Sequence, residues 1–200
     1  MAERIKLNKI SLREQKQKLG MYQRFLPALE ARKQQLLLHL AAAQKAIAEQ
    51  KALMEEHLRE VSDWSVLFRD AEDRLPYVAV VREVRFSERN IAGLQVPVFE
   101  EVVFEEAPWS LFSMSYSFDA VVEAARKGIA LRERIRLLQE QERILFEGFR
   151  KTSQRINLYE QRLIPDCRES IRRITVHLQD QQAAAVGVAK AAKRLSAGNE

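Results

Sequence analysis

The stretch Lys151-Thr-Ser-Gln-Arg-Ile-Asn-Leu-Tyr-Glu-Gln-Arg-Leu-Ile-Pro165 lies inside an amphipathic run from about Phe118 to Leu195. Leu131, Ile135, Leu138, Leu145, Phe149, Thr152, Ile156, Tyr159 and Leu163 recur there in steps of three, four and seven residues, a heptad pattern with a period of ~3.5, with Arg and Gln between them. That spacing draws a narrow coiled-coil seam with a solvated outer face. Past Pro165 the stripe moves by one residue, to Ile164, Cys167, Ile171, Ile174 and Leu178. A proline removes a backbone hydrogen bond and crowds the preceding turn, so a kink with a change of phase is expected near it. Gly128 falls on the seam, where it would allow close helix approach, and Gly148 lowers helix propensity. A helix of this length cannot cover its own stripe. It needs a partner of comparable length.

That partner lies upstream. From Leu12 one heptad position reads Leu19, Leu26, Lys33, Leu40, Ile47, Met54, Val61, Phe68. The position three residues on reads Tyr22, Leu29, Leu36, Ala43, Gln50, His57, Trp64, Ala71. Lys33, Gln50 and His57 are polar breaks of the kind that fix register. Pro27 predicts a kink or a short first helix, and the helical pattern ends near Leu75-Pro76. A helix from Leu12 to Leu75 would be roughly 95 Å long.

Between the helices the character changes. Residues Tyr77–Phe86 and Leu94–Phe104 are β-branched and aromatic, and Ser87–Gly93 carries turn chemistry. This predicts a hairpin with a six- or seven-residue loop. Val78, Val80, Val84 and Phe86 would share one face; Leu94, Val96, Val98, Val102 and Phe104 would share a face of the second strand. Pro97 keeps that strand at an edge. Glu100, Glu101, Glu105 and Glu106 make the far end acidic against basic helices. Trp109, Phe112 and Tyr116 are expected to cover the hairpin base, and Ser117 to cap the next helix with Asp119 in its first turn. The fold class is therefore mainly α, a long antiparallel two-helix coiled coil with a small β-hairpin subdomain. The divisions are 1–76, a first long helix kinked near Pro27; 77–117, hairpin and connection; and 118–200, a second long helix kinked near Pro165, with an Ala-rich end that frays and a short disordered tail.

Composition agrees. Gly and Pro number only 6 and 5 in 200 residues, which favours long helices. The net charge of +5 permits anionic partners, but a solvated helix surface is the favoured explanation. A single cysteine, Cys167, excludes an internal disulfide, fits a reducing compartment and reads as a small buried hydrophobe. No apolar run approaches the ~20 residues that span a bilayer, and the basic N-terminus lacks the apolar core of a signal peptide.

Catalytic chemistry is missing. No phosphate-cradling glycine loop and no nucleophile elbow occurs. His39, His57 and His177 lie far apart in sequence, although an antiparallel arrangement could bring His39 near His177. The chain is expected to be non-catalytic, without metal or cofactor.

The residues Lys151 to Glu160 followed by Leu163-Ile164-Pro165 resemble the signature of the D subunit of V-type (vacuolar and archaeal-type) rotary ATPases, where a basic Thr-containing cluster leads through Arg, Val, Asn and Leu into Val-Ile-Pro. Phe86-Ser-Glu-Arg-Asn-Ile-Ala-Gly93 followed by Pro97 is similar to that family's hairpin. Lys18-Leu19 and Leu29-Glu-Ala-Arg-Lys-Gln-Gln-Leu36 resemble its first helix. The likeness runs from about Lys6 to Leu178. The Ala-rich end, Pro27 and Ser153-Gln154 depart from the family pattern and suggest a divergent bacterial member.

The resemblance implies a central rotor shaft in a complex peripheral to the plasma membrane. Its implied partners are the catalytic A and B subunits, the F subunit and the socket subunit of the membrane rotor. Neither nucleic acid nor membrane insertion is implied. Lys6, Lys9, Arg13, Lys16, Lys18, Arg155, Arg162, Arg168, Arg172 and Arg173 become the candidate partner contacts, meeting acidic loops of the ring. The F subunit is expected around Leu53 to Phe68 and Leu131 to Leu145. The competing reading is a free coiled-coil adaptor or a nucleic-acid-binding helical arm. Its support is the basic balance; against it, Glu is interleaved with the basic residues and no aromatic–basic stripe is present.

Overall fold

A computed structural model describes residues 6–71, 75–105 and 117–197. The elements in order are α1 (Lys9–Ser62), α2 (Val66–Ala71), α3 (Leu75–Val78), β1 (Val81–Ile91), β2 (Leu94–Phe104), α4 (Phe118–Leu158), a π-helical turn (Tyr159–Leu163) and α5 (Ile164–Ala197). They form two compact units. A terminal unit comprises Met1–Lys33 and Lys151–Glu200; a central unit comprises Gln34–Arg150. The expected roles of Trp109, Phe112 and Tyr116 lie outside the described residues.

In the terminal unit the start of α1 runs antiparallel to α5. The ring of Tyr22 meets that of Tyr159, centroids 5.2 Å apart. Thr152, Ile156, Ile164, Cys167 and Ile174 are buried, and Leu12, Leu19, Tyr22, Leu26 and Leu29 are half-buried opposite them. The one-residue shift in the stripe has a defined carrier. The Ile164 N–H donates to the Tyr159 carbonyl, five residues back rather than four. A π turn takes up one extra residue and returns the seam to phase. It ends just ahead of Pro165, whose missing N–H falls at the second residue of α5.

Two other prolines bear on where the helices begin and end. α1 passes through Pro27 unbroken, with the ring on an exposed face where water can reach the freed carbonyl. At its other end α1 stops at Ser62, not near Leu75. The run Val61-Ser-Asp-Trp-Ser65 turns there, with the Trp64 N–H on the Val61 carbonyl at 3.3 Å. Short Ser and Asp side chains compete for backbone groups and favour helix ends. Pro76 then sits in the first turn of α3, where its lost N–H costs nothing. The Ala-rich end is helical to Ala197, and residues 179–194 are exposed throughout.

In the central unit the rest of α1 runs antiparallel to α4. Gln44 Nε2 donates to Glu142 Oε1 at 2.9 Å, and Lys127 lies 3.8 Å from Glu60. A third layer, the hairpin, completes the core. Leu36, Leu40 and Ala43 of α1 and Leu145 of α4 pack with Ile91 and Val96. A second cluster joins Val78, Phe118, Val121 and Val122 to Trp64, Phe68 and Leu75. Gly148 does more than lower propensity: a Cβ there would collide with Leu94, so its absence lets the hairpin tip seat on α4.

The hairpin loop is two residues long, not six or seven. Ala92 (φ 50°) and Gly93 (φ 78°) form the turn, and Asn90 Oδ1 accepts from the Gly93 N–H at 2.9 Å. Positive φ at both central positions matches the right-handed twist of the strands. The polar residues Ser87 to Asn90 therefore belong to β1, which begins at Val81 rather than Tyr77. Register shifts at Val81/Glu83 and Arg85/Phe86 break the simple alternation. Consequently Phe86, expected on the apolar face, is 52% exposed.

Candidate interaction surfaces

The seam that holds both units follows directly from the heptads. Every seam position named from Leu19 to Phe68 is buried or half-buried, as is every one from Leu131 to Leu178. His57 is a buried seam histidine: its Nε2–H donates to the Ala124 carbonyl at 2.9 Å. Gly128 lies against it, and a Cβ there would stand in ordinary contact with the imidazole, 3.6 Å from Nε2. His39 and His177 fall in different units. Among the described residues no group of three or more His, Cys, Asp or Glu could hold a metal ion. Among them, too, no helix is long and apolar enough to cross a membrane.

The candidate contacts gather in one place. Lys6, Lys9, Arg13, Lys16, Lys18, Arg155, Arg162, Arg168, Arg172 and Arg173 all belong to the terminal unit, and all are exposed. That unit carries 18 basic against 8 acidic residues, a net +10. The central unit carries 15 against 20, a net −5. The basicity is thus not a general property of the helices, as the sequence suggested, but of the chain's two ends folded together. Arg172 and Arg173 share the Glu169 carboxylate, at 2.9 Å and 2.8 Å. Their hydrogen bonds hold the Glu169 carboxyl down to about 2. Cys167 is buried and its thiol is pushed up, by burial first, with Lys18 pulling the other way.

In the central unit charged groups do structural work that sequence reading missed. Arg126 Nη2 donates to the Val78 carbonyl at 2.8 Å and to the Glu105 carbonyl at 3.3 Å, and its guanidinium lies 5.1 Å from the Phe104 ring centroid. It ties the hairpin base to α4. Glu133, buried, sits between Arg132 at 3.3 Å and Arg136 at 3.1 Å. The charged run Leu131-Arg-Glu-Arg134 gave no sign of which residue turned inward. Beside these, Phe68, Leu75, Pro76, Ala79, Ala125 and Ile129 line an apolar groove of about 580 Å³.

Comparison with known proteins places this geometry. The family described as the D subunit of ATP synthase matches residues 11–194. The V-type ATP synthase D subunit of Borreliella burgdorferi is 35% identical, over 95% of this chain and 94% of its own. That of Chlamydia muridarum is 30% identical over 97% of both chains.

Proposed function

From the premise that the chain belongs to the ATP synthase D-subunit family, the central-stalk component of V-type rotary ATPases, we propose that it transmits rotation between a ring of catalytic A and B subunits and the membrane rotor. It contributes no catalytic group of its own. The observation that carries this reading is the family match across both long helices and the hairpin, on a chain whose conspicuous surface is a collar of exposed cations. A part that must slide inside a ring needs contacts that are weak and replaceable. Solvent-screened charges on Lys6, Lys9, Arg13, Lys16, Lys18, Arg155, Arg162, Arg168, Arg172 and Arg173 meet that need, because exposed ion pairs stabilise by only ~0–1 kcal/mol each. Acidic loops of the ring are the matching surface.

The F subunit is assigned to the central unit, around Leu53 to Phe68 and Leu131 to Leu145, where the groove beside Phe68 offers an apolar seat. The socket subunit and a position peripheral to the plasma membrane follow from the same assignment. The three-part division at residues 76 and 117, with changes of helix direction near Pro27 and Pro165, is part of the proposal.

Affinity purification from native membranes, read by native mass spectrometry, tests it. One copy of the chain with three A, three B and one F subunit is the expected composition. Recovery of the chain alone, or with RNA, would remove the shaft reading. Charge reversal of the ten-residue collar should then alter coupling of ATP hydrolysis to rotation; unchanged coupling would disconnect the collar from the ring.

A further inference from the structure

The two edges of the hairpin are not equivalent. Counting from the closing pair Ile91–Leu94, antiparallel alternation turns the backbone N–H and C=O of Asn90, Glu88, Phe86 and Val84 away from β2. On β2 the same count turns Gln95, Pro97 and Phe99 outward, and Pro97 has no N–H to offer. The register also slips beside Glu100, which lies between the partners of Phe86 and Arg85. The β2 edge is therefore closed in the usual way, by a proline and a bulge. The β1 edge has neither device between Glu83 and Asn90, and its side chains from Arg85 to Asn90 are all exposed. Among the described residues the sheet has only these two strands.

We propose that in the free chain the β1 edge pairs with the β1 edge of a second copy, antiparallel about a twofold axis at Phe86. The product is a four-stranded sheet in the order β2, β1, β1, β2. Charge selects both the occupant and the register. With Phe86 opposite Phe86 of the other copy, Val84 faces Glu88, Arg85 faces Ser87, and Glu83 faces Arg89. Twofold symmetry makes the Glu83–Arg89 pair occur twice. Residues with outward backbone groups face one another in this register, so the ladder bonds close. A slip by one position in the pairing sum sets outward groups against inward ones and loses the ladder. The next registers on either side that keep the ladder set Arg85 opposite Arg85, or Arg85 opposite Arg89. Both put like charges directly across from each other. The chosen register also covers the half-exposed Phe86 ring. The inference stands on the hairpin alone and does not depend on the rotary reading.

Sedimentation velocity on the purified full chain, over a range of concentrations, reads the dimer. Wild type is expected to shift from monomer to dimer as concentration rises. Arg89→Glu should weaken the dimer by about tenfold, since two attractive pairs become repulsive. Glu83→Arg combined with Arg89→Glu should restore it. Glu88→Pro should abolish it, because it removes an outward N–H at a position that does not bond to β2. A melting curve for each variant checks that the fold is kept, and the charge swap does not depend on the proline variant folding. A chain that stays monomeric at every concentration overturns the proposal. So does a dimer that survives Arg89→Glu at wild-type strength, or one that the double reversal fails to restore.

Discussion

The terminal unit and the central unit share one device and use it differently. In both, α1 runs antiparallel to a later helix with a heptad seam between them. In the terminal unit the seam is the whole core, and the α1 side of it is only half-buried. In the central unit the hairpin adds a third layer, and Leu36 and Leu145 lose all exposure. The charges divide along the same line, net +10 on the two-layer unit and −5 on the three-layer one. A two-layer seam leaves most of each helix circumference in water, free to carry cations. A third layer covers one flank, and charges there must be paired, as Arg126 and Glu133 are.

The largest expected effect tests that third layer. Leu145→Ala removes a side chain held by α1 and the hairpin together, and it should destabilise the chain by about 2–5 kcal/mol. Ile174→Ala, equally buried but in the two-layer seam, should fall at the low end of that range, since an open helix pair can close around the gap. Denaturant unfolding of the two variants decides the matter. Equal losses would break the contrast.

Gly148→Ala comes next, and its sign is the point. On an isolated helix the change stabilises by about 1 kcal/mol. Here the added methyl meets Leu94, and overpacking of about 1–3 kcal/mol should outweigh the gain. Shortening the obstacle, in Gly148→Ala with Leu94→Ala, should recover part of it. Hydrogen exchange would localise the damage to the hairpin amides.

This glycine shows where sequence reading stops. The seam was legible because a heptad repeat is a local rule: each position constrains its neighbours three and four residues away. Polar positions such as His57 were legible by the same count. The hairpin existed in the pattern, yet its turn was misplaced. Ser87-Glu-Arg-Asn90 looks like a loop by composition, and only the positive φ at Ala92 and Gly93 shows where the chain reverses. The roles of Gly148 and Arg126 depend on what another layer brings against them, which no local period encodes. The ten cations stand out in the sequence as a basic set toward the chain's two ends. Their concentration in a single unit follows only once the chain's ends are folded together.

The π turn offers a smaller test. Two causes compete for it: the extra residue in the heptad count and the proline that follows. If phase is the cause, Pro165→Ala should leave the turn in place and change stability by less than about 1 kcal/mol. Relaxation to a regular α-helix would slip Ile164, Cys167 and Ile174 out of the seam, and their burial opposes that. Cys167 reports the outcome. Its reaction with a thiol reagent should stay slow in Pro165→Ala, and a fast reaction would assign the turn to the proline. Deleting Gln161 together with Pro165→Ala removes the surplus residue, and thiol reactivity should again stay slow with the seam intact.

The smallest expected effect is a pH dependence confined to the two-layer unit. Glu169 titrates near 2 in the folded chain because Arg172 and Arg173 hydrogen-bond its carboxylate, against an ordinary value of 4.5. A carboxyl depressed on folding contributes stability above its unfolded value and loses it as pH falls through the folded one. The contribution should therefore be complete above about pH 4.5 and fade toward pH 2. The carboxylate is open to solvent, its side chain 41% accessible, so salt should screen it. Carboxyl NMR titration of the wild type should place Glu169 well below the ordinary carboxylate value of 4.5, and high salt should draw it back toward that value. If Glu169 titrates near its ordinary value at low salt, the two arginines are not held on it but extend freely from the collar. The terminal unit would then present every one of its candidate cations to a partner, and its contrast with the paired charges of the central unit would be sharper than the structure draws it.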